Sequence, residues 1–305
     1  PKNGFPCGDN VLDQWMLSRL QTLKESVTEE MSEYRLFNVV PKLFDFIEDL
    51  TNWYIRLNRS RFWGEGMCED KVSAFNTLYA VLYELCKVMA PFAPFLSEHL
   101  FRELSALSGD QADKESVHLC RFPEFDATQK ASDLEVAVDR MQQVVLLGRQ
   151  KRESVKIGLR TPLSAITIVH RDKSLLDDMK SLEGYVRDEL NVREIRYSSD
   201  EGDYIDLAAK PNFSLLGKRL GKSMRDYQKK ISAMTFDEIA SFQQSGEMRI
   251  EEELFTLEEI EIFQKPKEGT ATISNSFIAI ELDCELTSEL IRGGYAREVV
   301  NRIQR

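Results

Sequence analysis

The segment WYIRLNRSRFWG (Trp53–Gly64) sets Arg56, Arg59 and Arg61 among Trp53, Tyr54, Phe62 and Trp63. A guanidinium is a planar fork of donors that grips phosphate oxygens, and an aromatic face stacks on an unpaired base. The same residues would also suit a helix end, where cations favour the negative C-terminal dipole and aromatic rings fill a bundle core. Spacing alone leaves both readings open. Trp53 and Tyr54 are read as core.

Two further basic runs stand out. GRQKRESVKIGLR (Gly148–Arg160) carries Arg149, Lys151, Arg152, Lys156 and Arg160 against the single acid Glu153. The stretch from Lys210 to Lys230 carries Lys210, Lys218, Arg219, Lys222, Arg225, Lys229 and Lys230 against Asp226 alone. The chain as a whole has a formal net charge of -11 and a pI near 5.0, which argues against a uniformly basic nucleic-acid-binding surface. Local clusters in an acidic chain are what a phosphate track would need, although a charge run is otherwise a solvated face.

Other chemistries find no support. No Gly-rich phosphate loop is present. His99, His118 and His170 are far apart and lack metal-ligand spacing, and no Ser–His–Asp or Cys–His set emerges from spacing. Glu251, Glu252 and Glu253 read as a solvated face. The 5 cysteines, Cys7, Cys68, Cys86, Cys120 and Cys284, are odd in number and never in C-x-x-C spacing, so neither a disulfide framework nor a Cys-rich zinc site is expected. Cys86 reads as a small buried hydrophobe. No catalytic residue and no metal site are expected, and a reducing cytosol fits best. No apolar run reaches the roughly 18 residues that span a bilayer. The opening PKNGFPCGDN has no signal-peptide pattern and does not begin with Met, which we read as an interior cut point.

The elements that must position these residues are mostly helices in the first third. Asp9 or Asn10 can cap a helix through Val11, Leu12, Trp15, Met16, Leu20 and Leu23. Leu36 to Leu57 reads as one long amphipathic helix, kinked or started by Pro41. A third helix runs from Val72 to Met89, the prolines of APFAP break it, and a fourth follows through Leu104. Residues 107–130 are polar and irregular. Asp133–Gln150 is helical again. Ser164–Arg171 reads as a strand, Ser174–Leu190 as a helix, and Arg193–Tyr197 and Tyr204–Ala208 as short strands. Leu215–Ile231 and Phe236–Gln244 read as helices. Thr270–Ile273 and Phe277–Leu282 form a strand pair turning at Ser274, Asn275 and Ser276, and Ser288–Gln304 is a terminal helix. The predicted fold is mainly α: an antiparallel helical bundle over 1–130, then a smaller α+β domain over 131–305.

At this point motifs of a known family are recognisable. NVLDQWMLSRL (Asn10–Leu20), NWYIRLNRSRFWG (Asn52–Gly64), KVMAPFAPFLSEHLF (Lys87–Phe101) and SVHLCRFPEFD (Ser116–Asp126) resemble the anticodon-binding helical domain of class I synthetases for branched aliphatic amino acids. LGRQKRESVKIGLRTPLSAITIV (Leu147–Val169), KPNFSLLGKRLGKSM (Lys210–Met224) and YAREVVNRIQR (Tyr295–Arg305) are similar to the C-terminal domain of the isoleucine enzymes, in their eukaryotic-like branch. IRGGYARE (Ile291–Glu298) departs from the family, which commonly has an acid before the Gly. The resemblance implies a tRNA(Ile)-binding, anticodon-arm part of an isoleucine–tRNA ligase. The HIGH and KMSKS signatures have no counterpart, so the catalytic and editing domains are expected to be missing, and with them the site that uses ATP and Mg. The implied partner is tRNA(Ile), with protein partners in a synthetase assembly as a further expectation, and neither DNA nor a membrane. The implied tRNA-binding residues are Arg56, Asn58, Arg59, Arg61 and Trp63, then Arg149, Arg152, Lys156 and Arg160, then Lys218, Arg219 and Lys222. Two alternatives remain: a protein–protein docking module of a synthetase assembly, or a stand-alone anticodon-domain paralogue with a regulatory role.

Overall fold

The computed structural model describes residues 10–107, 115–267, 270–275 and 277–303, and for Lys218, Lys222 and Asn301 it describes the backbone alone. The chain divides into two compact units, Pro1–Val138 and Asp139–Arg305.

The first unit is helical. Helix α1 (Val11–Ser32) begins where the Asn10 side chain accepts hydrogen bonds from the backbone N–H groups of Leu12 and Asp13, satisfying donors that the first turn leaves unpaired. Asp9 lies outside the described residues. Leu12, Trp15, Met16, Leu20, Leu23 and Val27 recur at helical spacing and are buried, each contributing about 1.5–3 kcal/mol by leaving water. Helix α2 (Leu36–Glu48) packs on α1, and Pro41 lies within it without ending it.

The expected single helix from Leu36 to Leu57 is interrupted. Asp49–Ile55 widens into a π-helical segment, and a short helix α3 (Arg59–Trp63) starts again after Asn58. The π segment takes more residues per turn, and Leu50, Trp53 and Tyr54 all turn inward. The Asn58 carboxamide donates to the Tyr54 carbonyl at 2.9 Å and is itself buried, fixing the bend. Gly64 ends α3. Helices α4 (Glu69–Met89) and α5 (Pro94–Leu107) follow, broken at the expected prolines. Short 3-10 turns at Val117–Leu119 and Ala127–Gln129 lead to α6 (Ser132–Ser154).

The second unit mixes strands and helices. After β1 (Leu163–Val169) come α7 (Lys173–Lys180) and α8 (Glu183–Leu190), then β2 (Val192–Ser198) and β3 (Ile205–Pro211). The helix expected over Ser174–Leu190 is therefore two, because the chain tightens at Leu182: its N–H bonds the Met179 carbonyl and its side chain is buried. Likewise α9 (Phe213–Leu220) and α10 (Met224–Ser232) are separated at Gly221, whose φ of +50° only glycine adopts easily. Helix α11 (Phe236–Ser245) starts with a Thr235–Glu238 capping box.

Strands β4 (Glu247–Ile250), β5 (Glu253–Thr256) and β6 (Ile260–Pro266) were not expected. Glu251 and Glu252 form the turn between β4 and β5, with Glu251 at φ +56°, and Glu253 pairs with Ile250. All three stay at the surface, as the reading of a solvated face expects, with Glu251 and Glu252 exposed and Glu253 half-exposed at the start of β5. Strands β7 (Thr272–Ser274) and β8 (Ala279–Leu282) pair antiparallel as expected, turning through Asn275, while Ser276 lies outside the described residues. Helix α12 (Ser288–Ile303) follows.

Strand β1 pairs in parallel with β2 and antiparallel with β8, giving a four-stranded sheet in the order β2-β1-β8-β7. Strand β3 pairs with β6, and alternate β3 residues Ile205, Leu207 and Ala209 point into a core with Leu216, Ile231, Ile239, Phe242 and Phe255. A helical bundle followed by an α+β region is thus the architecture, with the α+β unit the longer of the two rather than the smaller one expected. No described helix is long and apolar enough to cross a membrane.

Candidate functional site

In the first unit the sequence cluster Trp53–Gly64 separates into an inner and an outer layer. The inner layer centres on Asp13, buried on the apolar face of α1. Arg61 Nη1 and Nη2 grip the two Asp13 carboxylate oxygens at 2.8 and 2.9 Å. Arg61 Nε donates to Asp70 at 2.9 Å, and Nη1 also donates to the Asn58 carboxamide oxygen at 2.9 Å. The Tyr54 hydroxyl donates to Asp13 at 2.7 Å. Burial would lower the Arg61 pKa, but the hydrogen bonds and charges of Asp13 and Asp70 outweigh it and raise it. Burial, then the Asp13 charge, raises the Tyr54 hydroxyl well above the usual tyrosine value. Arg61 and Asn58 are therefore structural, a correction to their expected contact with RNA: the donors of Arg61 are already taken, and Asn58 is sealed in the core.

The outer layer is Arg56, Arg59 and Trp63. All three are exposed, Trp63 to 68%. The Arg59 guanidinium lies over the Trp63 ring, 5.8 Å from its centroid. Beneath it, Phe62 meets Trp63, Tyr54 and Phe75 edge to face, with centroids 6.1, 6.1 and 5.2 Å apart. A string of rings thus runs from the buried Tyr54 to the exposed Trp63, ending in an aromatic face with cations beside it. The Lys71 ammonium ties down the Gly64 carbonyl at 2.7 Å. Stacking on an unpaired base and gripping a phosphate are both within reach of such a ledge.

In the second unit the basic runs take several roles. Arg152 is 1% exposed. Its Nη1 donates to the carbonyls of Gly158 and Thr161 at 3.1 and 3.0 Å, and Nη2 to those of Leu190 and Asn191 at 2.7 and 3.2 Å. Burial lowers its pKa to about 10. It cannot touch a ligand, which corrects its expected role, and it fixes the loop 158–161 against the end of α8. Arg149 pairs with Glu189, Arg160 with Glu298, and Arg219 with Glu259. Lys156 is exposed at a left-handed φ of +57°. The side chains of Lys218 and Lys222 lie outside those described. The basic runs are therefore not rows of uncommitted cations.

Sequence reasoning missed Asp13 and Asp70. The signal for Asp13 was present: a carboxylate between Leu12 and Met16 interrupts an apolar stripe, and a buried acid needs a cationic partner. Asp70, beyond the loop after Gly64, had no such signal. No group of three or more metal-ligating side chains gathers among the described residues.

The family model described as the anticodon-binding domain of tRNA ligase matches residues 13–167. An isoleucine–tRNA ligase of Bdellovibrio bacteriovorus is 43% identical over 305 residues, covering 100% of this chain and 29% of that protein. The cytoplasmic isoleucine–tRNA ligase of Saccharomyces cerevisiae is 37% identical over 309 residues, covering 97% of this chain and 29% of that protein. The corresponding cytoplasmic protein of Mus musculus is 38% identical over 97% of this chain and 24% of its own length. The chain spans well under a third of each of these relatives.

Proposed function

Because the chain belongs to the family of anticodon-binding domains of tRNA ligases, we propose that it holds the anticodon arm of tRNA(Ile) on behalf of an isoleucine–tRNA ligase. The observation that carries this reading is the Arg59–Trp63 ledge, an exposed ring with a guanidinium over it, standing on a fully paired arginine network. Anticodon bases are unpaired and can be splayed out of the loop, so Trp63 offers a surface for one of them, while Arg56 and Arg59 meet the flanking phosphates. In the second unit Lys156 is an exposed candidate contact. Arg149, Arg160 and Arg219 contribute where a phosphate displaces their carboxylate partners, and Lys218 and Lys222 are proposed as contacts on the sequence resemblance alone.

The parent protein would attach isoleucine to this tRNA with ATP and Mg, in a catalytic domain outside these residues, and would do so in the cytoplasm, the location printed in the names of the yeast and mouse relatives. Protein partners in a synthetase assembly belong to the same proposal. Fluorescence anisotropy with tRNA(Ile) and tRNA(Val) transcripts tests the reading. The chain should prefer tRNA(Ile), and Arg59→Ala with Trp63→Ala should abolish the preference. Equal affinity for both transcripts, or no response to the double substitution, would remove the ledge from recognition.

A further inference from the structure

Arginines far apart in sequence meet in the second unit. Arg187 on the last turn of α8, Arg193 on β2 and Arg297 on α12 line one cavity of about 450 Å³, together with Asp188 and Asn191. All three guanidinium-bearing side chains are exposed. Arg187 and Arg297 make no side-chain hydrogen bond or ion pair among the described residues. Arg193 meets Glu289 at 2.9 Å, with both partners more than half exposed. Such a surface pair is worth little and exchanges readily for a better acceptor.

The cup is built. Its floor is the α8–β2 turn, where Asn191 sits at φ +48° and donates through its carboxamide to the Leu159 and Arg160 carbonyls at 2.9 and 3.2 Å. Arg152 grips the same turn through the Leu190 and Asn191 carbonyls. This guanidinium is buried, meets carbonyls rather than a carboxylate, and keeps its Nε without a hydrogen-bond partner. A positive charge that no acid cancels therefore lies under the cup, where the low dielectric carries its field outward. Helix α12 closes the side. Gly293 and Gly294 let it lie against Pro162 and Thr161, where an added Cβ would stand 3.1 and 3.0 Å from side-chain atoms, and Arg297 follows Gly293 by about one turn.

We propose that Arg187, Arg193 and Arg297 form a binding cup for a backbone phosphate of RNA. Three planar forks lining one cavity suit the oxygens of a phosphodiester. The inference rests on tRNA being the ligand of this chain, and adds a contact that the basic runs in the sequence do not contain.

The test is a salt titration of tRNA(Ile) transcript binding by the 305-residue chain and its variants. Replacing all three arginines by glutamine should weaken binding about tenfold at low salt and make the plot of log affinity against log salt shallower by about 1 to 2. Replacing all three by lysine should retain most of that slope. If the glutamine variant melts early, Arg297→Gln alone carries the test, with weaker binding and a slope shallower by a part of that change. Unchanged affinity and slope in the glutamine variants, with binding lost in Arg59→Ala/Trp63→Ala, would overturn the cup and leave the helical ledge standing. The reverse pattern would keep the cup and remove the ledge. Displacement of the tRNA by inorganic phosphate at matched ionic strength would make the cup a free-anion site and overturn its assignment to RNA, as would displacement by polyglutamate that depends on the three arginines. Failure of the unsubstituted chain to bind tRNA would overturn both.

Discussion

The two units each bury an arginine, and they do so in opposite ways. In the helical unit Arg61 is neutralised by the buried carboxylate of Asp13 and by Asp70, and its pKa rises. In the mixed unit Arg152 meets four backbone carbonyls, and its pKa falls to about 10. The first arrangement holds three helices together and leaves the surface charge to Arg56 and Arg59. The second staples a loop and a turn and leaves its own charge uncancelled beneath the surface. One residue type thus serves as an internal bolt in both places, while the electrostatic field each leaves outside differs.

The largest expected effect is on the Asp13 side of that comparison. Asp13→Ala leaves the Arg61 guanidinium without its buried partner and should cost about 3–5 kcal/mol, read as a fall in the unfolding midpoint in urea. A loss below about 1 kcal/mol would mean that Arg61 escapes to water and the network is weak. Arg152→Met is expected to cost somewhat less, about 2–4 kcal/mol: four carbonyls lose a donor, but a desolvated charge is removed at the same time. If the methionine variant equals or exceeds the wild-type chain in stability, the staple is dispensable. Arg61→Lys should fall below both, at about 1–3 kcal/mol, since an ammonium reaches Asp13 but cannot bridge Asp13, Asn58 and Asp70 together.

Acid sharpens the same contrast. In the helical unit Glu30 accepts hydrogen bonds from Arg35, Asn38 and Lys42, which hold its carboxyl at about 2. Its contribution to stability is complete above the ordinary glutamate range and is lost as the pH falls from about 4.5 towards 2. In the mixed unit burial lowers the His170 pKa. Its neutral form is favoured in the fold, so stability is complete above the ordinary histidine value and declines as the pH falls below it. NMR titration should find the Glu30 carboxyl at about 2, and a carboxyl titrating at the usual glutamate value would contradict the three-donor clasp. The smallest stability effect belongs to Arg59→Ala, within about 0.5 kcal/mol, because this side chain rests on the surface; a larger loss would make the ledge a structural element.

Much of the fold was legible from the sequence. The apolar spacing of α1, its Asn10 cap, the proline break before α5 and the β7–β8 turn all follow local rules that tertiary packing did not override. Strands β4 to β6 were hidden because Glu247, Glu251–Glu253, Glu258, Glu259 and Glu261 crowd the stretch, masking the alternation of Ile260 and Ile262 with polar neighbours. The π segment was illegible because Leu36–Leu57 keeps a helical apolar period throughout, and only the demand to bury Leu50, Trp53 and Tyr54 together widens the turn. At the candidate site, Trp53 and Tyr54 were correctly placed in the core. Arg61 and Arg152 were not separable from Arg59 and Lys156 on sequence, since a basic run does not reveal which member meets a buried acid or a ring of carbonyls. Arg187, Arg193 and Arg297 form no run at all: a helix, a strand and a second helix bring them together.

Hydroxyl-radical footprinting of the tRNA(Ile) transcript bound to the 305-residue chain addresses the central claim most directly. Protection should concentrate on the anticodon stem and loop, and Arg59→Ala with Trp63→Ala should erase it at the loop nucleotides first. Protection confined to the acceptor stem, or a loop footprint indifferent to those two side chains, would contradict it.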